Sequence, residues 1–153
     1  MTIIRKLVSI GSAHLYSYLD RPVATLNAAD RLLLDGLRSW ALAHALGRDA
    51  LAAVAARNSL FAETAAGETI DDAMALLDDA GTTPLTIQRP CHETVEDDEA
   101  VLLAIAVCAR DGGITGAAAA LRQIVRADAA TAIAVLLADA SRRLSDATLP
   151  IRR

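Results

Sequence analysis

Residues 94–109 read Thr-Val-Glu-Asp-Asp-Glu-Ala-Val-Leu-Leu-Ala-Ile-Ala-Val-Cys-Ala. Four acids fill the first turn and ten uncharged, small or aliphatic residues follow. Carboxylates suit the positive end of a helix dipole. A body that is apolar on every side can only be buried. The stretch predicts a helix opened by Thr94, lying at the centre of the fold and closed by Arg110-Asp111-Gly112-Gly113.

Working outward, the same pattern recurs. Asn27 is a candidate N-cap for a helix with Leu33, Leu34, Leu37, Trp40, Ala41 and His44 on one stripe, ending at Gly47. Asp49 caps a second helix that carries Val54 and Phe61 and stops at Gly67. Thr69 with Asp72 opens a third, with Met74 and Leu77 as its apolar side and Gly81 as its end. Thr115 or Gly116 starts a fifth helix, and Asp128 caps a last one through Leu144. At the N-terminus Ile3, Ile4, Leu7 and Val8, then Leu15 and Leu19, fit a short helix broken at Gly11, or an ordered arm. Residues 82–91 lack helical periodicity: Pro84 and Pro90 bracket a Leu85/Ile87 alternation, the mark of an extended crossover.

Composition agrees. The 153 residues include 34 alanines and 22 leucines, the pair with the least resistance to helix. Val, Ile and Thr are scattered rather than gathered into alternating runs. The expectation is an all-α, single-domain bundle of about five to seven helices spanning 1–153, with possible halves 1–81 and 91–153 sharing one core. No apolar run reaches the length of a membrane span. Arg5 and Lys6 ahead of residues 7–19 copy a signal peptide only superficially, because His14, serines and tyrosines interrupt the apolar run. Cys91 and Cys108 then read as reduced thiols, and the expected compartment is the cytoplasm.

Charge is segregated. Residues 1–48 hold six basic and three acidic side chains, 49–109 two and twelve, and 110–153 seven and four. Such a pattern either guides self-association or is folded together within one monomer, the simpler explanation.

The densest polar cluster is Cys91-His92-Glu93-Thr94-Val95-Glu96-Asp97-Asp98-Glu99. If the helix starts early, His92, Glu96 and Glu99 share a face at i, i+4 and i+7. With Cys91 and a partner such as His14, His44 or Cys108, they would make a zinc or iron site. The plainer reading makes Thr94 a cap, the acids dipole partners and His92 a loop residue; no Glu-x-x-His, His-Glu-x-x-His or Cys-x-x-Cys motif is present. Cys91 beside His92 would be a reactive thiol only if five adjacent carboxylates did not oppose a second anion. The glycines of residues 111–116 are explained by a helix end, a turn and a new helix rather than by phosphate binding. His44 reads as a core or interface histidine one turn after Trp40, and Asp71, Asp72, Asp78 and Asp79 as a solvated face. Arg122, Arg126, Arg142, Arg143, Arg152 and Arg153 do not form a recognition stripe in an acidic chain with one lysine, so no nucleic acid is expected.

Arg89-Pro90-Cys91 followed by Glu99-Ala100-Val101-Leu102-Leu103 resembles a family of small, uncharacterised bacterial helical proteins with a cysteine just before an acid-capped Leu-Leu helix. The resemblance spans mainly residues 89–140. That family gathers several cysteines where this chain has Cys91 alone, and the likeness implies a helical fold but no activity. With no recognisable catalytic set, the functional expectation is a non-enzymatic interaction or regulatory module that self-associates or takes a protein partner. A metal-dependent protein built on Cys91, His92, Glu96 and Glu99 is the alternative.

Overall fold

The computed structural model describes residues 12–149. It is 71% helical, with eight α-helices and no strands among the described residues. They are α1 (Ser12–Tyr18), α2 (Ala28–Ala45), α3 (Ala50–Arg57), α4 (Leu60–Glu63), α5 (Ala66–Ala80), α6 (Asp97–Arg110), α7 (Ile114–Leu121) and α8 (Ala127–Thr148). The N-terminal stripe through Val8, the Arg5-Lys6 pair, Arg152 and Arg153 lie outside the described residues.

The central helix is as expected. From Glu99 to Val107 every residue of α6 is buried, and Ala109 with them. α8, α7, α1 and α2 pack around it, while α5 lies along α8. One apolar cluster runs from Leu15 to Leu144, so both sides of the crossover contribute to the same core. Among the described residues no helix is long and apolar enough to cross a membrane.

Several boundaries differ from the sequence reading, each for a local reason. α6 starts at Asp97 rather than at Thr94, because residues 93–95 are drawn out against the turn before α2. There the Val23 N–H donates to the Glu93 carbonyl (2.8 Å) and the Val95 N–H to the Arg21 carbonyl (2.9 Å). Val95 is thereby buried, and Glu96 (φ −78°, ψ 163°) becomes the N-cap. Gly67 does not stop a helix but lies inside α5, where an added Cβ would stand 3.3 Å from Phe61. The helix capped by Asp49, α3, ends earlier, at extended Asn58, α4 follows as a separate turn, and Ala65 makes the next turn at φ 61°. α7 begins at Ile114, directly after Gly113. α8 begins at Ala127 behind Arg126, whose N–H donates to the Ala80 carbonyl, leaving Asp128 in the first turn rather than at the cap. Asn27 and Asp49 do cap α2 and α3, accepting from the N–H groups of Asp30 and Ala52.

The crossover is extended, and its alternation has a use. Leu85 and Ile87 pack on the core. Between and beyond them, the N–H of Thr86 donates to Asp98 Oδ2 (2.6 Å) and that of Gln88 to Glu99 Oε2 (3.2 Å). Near its start the Thr82 N–H is bound to the Ile124 carbonyl (2.8 Å). Acids at the start of α6 therefore satisfy a strap that has no sheet to satisfy it.

Candidate functional site

The alternative metal cluster is divided in two by Arg38, on α2. Arg38 is 1% exposed and donates through Nε to Glu99 Oε2 (2.7 Å) and through Nη2 to Glu99 Oε1 (2.8 Å). Its Nη1 and Nη2 also donate to the carbonyls of His92 and Thr94, both at 2.8 Å. Glu99 also accepts from the Glu96 N–H (3.0 Å), the return half of a capping box. Both oxygens of Glu99 are thus committed within the core. His92 stands in the loop, not on the helix, and its Nε2 meets Glu96 Oε1 at 2.8 Å, both side chains a little over a third exposed. Cys91 is exposed and free. Cys108 lies nine residues beyond Glu99, about 13 Å along the helix, with Sγ 3.6 Å from the Gly113 carbonyl. His44 pairs with Asp78 instead. Among the described residues no three His, Cys, Asp or Glu side chains converge as metal ligands.

The glycines after α6 are structural. Gly112 has φ +99°, and a Cβ on Gly113 would fall 2.6 Å from Cys108 Sγ and 2.8 Å from its carbonyl. Of the C-terminal arginines, Arg126 is engaged with Asp79 and Arg143 with Asp139.

The structure brings together a site that the sequence showed only in pieces. A groove of about 410 Å³ lies between the C-terminal halves of α2 and α5 and the strap. Trp40, Leu77, Leu85 and Ile87 supply apolar lining, with Ile124 from the turn after α7. His44 stacks on Trp40, ring centroids 4.7 Å apart and planes 18° from parallel. His44 Nε2 lies 3.1 Å from Asp78 Oδ2, with both side chains more than half exposed. Beneath it the Trp40 indole N–H donates to Asp71 Oδ1 (2.8 Å). A buried tryptophan with its polar edge satisfied and its face beside a recess is a rigid, preorganised contact surface.

Two of the four acids read as a solvated face therefore belong to this site. The i, i+4 spacing of Trp40 and His44 was its visible signal; the strap that makes its outer wall was not. Arg38 was also missed, although an arginine following Leu37 next to a buried stripe was a clue. A second recess of about 650 Å³ opens between α2, α3 and Pro90, and in its lining Arg57 is paired with Asp35 (2.8 Å). That pairing holds the Arg57 guanidinium above its ordinary range.

Compared with known proteins, the chain matches no family model, no curated protein and no solved structure.

Proposed function

We propose that this chain is a non-enzymatic helical interaction module whose contact face is the groove beside Trp40. The observation that carries this reading is the groove itself: an apolar recess, floored by the one tryptophan of the chain, with few polar groups at its edge. Arg38 and Glu99 are spent on structure, on each other and, for Glu99, on the Gln88 N–H of the strap. Self-association is the simplest form of such contact. Charge segregation does not require it, since Arg38–Glu99 and Arg126–Asp79 join the basic and acidic segments within one chain.

The test is the mass at which the chain migrates, purified and in lysate of its source cells, beside Leu85→Asp. A purified chain that runs at a multiple of 16.0 kDa, and returns to monomer on Leu85→Asp, supports self-association. A larger species in lysate alone, lost in the variant, supports a different partner. Migration at the monomer mass in both settings contradicts the reading.

A further inference from the structure

We infer that residues 83–91 of the strap swing away from α6 as one hinged unit while the helices stay packed, so that the groove beside Trp40 has a movable wall. Such motion does not depend on what the groove takes.

The strap is pinned firmly at both ends and lightly between them. At its start the Ile124 carbonyl holds the Thr82 N–H (2.8 Å), and the Ala80 carbonyl holds the Arg126 N–H (2.9 Å). At its end buried Arg38 binds the carbonyls of His92 and Thr94, and the Val23 N–H binds that of Glu93. Between these pins, apart from a turn that joins Arg89 to His92, only two backbone groups of 83–91 are bonded to the rest of the described residues. They are the N–H groups of Thr86 and Gln88, and their acceptors, Asp98 and Glu99, are neighbours in the first turn of α6. No residue from 81 to 94 is buried, although Ala80 and Val95 on either side are. Leu85 and Ile87 pack on the core but stay partly exposed, so leaving it uncovers little apolar surface. Few bonds and few buried contacts are the conditions under which a segment opens at less cost than global unfolding. Pro84 and Pro90 have fixed φ and favour extended backbone at Thr83 and Arg89, which makes the stretch between the pins stiff and puts its hinges at the pins. Leu85 and Ile87 line the groove together with Met74, Leu77 and Ile124, so opening removes one side of it.

The experiment is amide hydrogen exchange of the full chain, read residue by residue by NMR. In the wild type, Thr86 and Gln88 should show one common opening equilibrium, about a hundredfold or more above that of Leu102 and Leu103 in the buried body of α6. Asp98→Ala removes the acceptor of Thr86 and leaves that of Gln88 in place. Because the two bonds break together in a unit opening, Gln88 should nevertheless exchange about tenfold faster in this variant. Asp97→Ala, in the same first turn of α6, should leave Gln88 as in the wild type. A Gln88 rate unmoved by Asp98→Ala would mean that the two bonds break independently. Equal acceleration by Asp97→Ala would reduce the effect to fraying of α6. Wild-type Thr86 and Gln88 as protected as Leu102 would tie the strap to global unfolding. Any of these three results overturns the inference.

Discussion

Arg38 and Glu99, sixty-one residues apart, form a two-pronged ion pair in which the side chains are 1% and 0% exposed. The pair joins α2 to the first turn of α6, and the arginine also holds the carbonyls of His92 and Thr94 in the loop ahead of that helix. Removing one partner strands a buried charge. Arg38→Ala is expected to cost about 3–5 kcal/mol, and Glu99→Ala a similar amount. The pair Arg38→Met with Glu99→Leu should cost clearly less than the sum of the two single changes, since neither leaves the other's charge behind. Urea unfolding of the three variants checks this, and strict additivity would show that the two groups do not act together.

Tyr18 donates to Asp30 Oδ2 at 2.7 Å inside the core. Burial, followed by the bond to Asp30 and its charge, pushes the phenol far above its ordinary range. Below about pH 10, the ordinary value for tyrosine, folded and unfolded chains both keep the proton and the bond contributes in full. Above it the unfolded chain releases a proton that the folded chain retains, so stability falls as pH rises. Tyr18→Phe should cost about 1.5–3 kcal/mol at neutral pH. Its deficit should shrink between pH 9 and 11 (about one unit either side of that value), as read from urea midpoints. A deficit constant across that range would contradict the assignment.

Gly113 faces fixed backbone. An alanine Cβ there would sit 2.8 Å from the Cys108 carbonyl oxygen as well as against its sulfur. Gly113→Ala should destabilise by about 1–3 kcal/mol, as read from thermal unfolding. A neutral Gly113→Ala would mean that this turn has room to move.

His92 and Glu96 are more than a third exposed, so His92→Ala should cost less than about 1 kcal/mol. Because Glu99 is held by Arg38, excess zinc should leave the unfolding temperature of the wild type unchanged. A rise that His92→Ala abolishes would favour the metal-dependent reading instead.

The helices were legible because their signals are local. The apolar body of α6, the caps at Asn27 and Asp49 and the proline-bracketed strap can all be read within a few residues. The start of α6 was missed where a distant segment intervened, since residues 93–95 follow the backbone at 21–23, whereas Gly67 makes room for nearby Phe61 rather than ending a helix. The site was less legible for the same reason. His92 and Glu96 do meet, being close in sequence. Glu99 goes to an arginine sixty-one positions away, and Trp40, Asp78 and Leu85 converge only when α2, α5 and the strap are packed.

The most direct measurement is site-specific photo-crosslinking in source cells, with the reactive side chain placed at Thr83 on the groove rim or at exposed Val135 on α8. The account predicts a discrete crosslinked protein from position 83, either a second copy or another chain, and none from 135. Equal labelling from both positions, or no adduct from 83, would contradict a contact face at the groove.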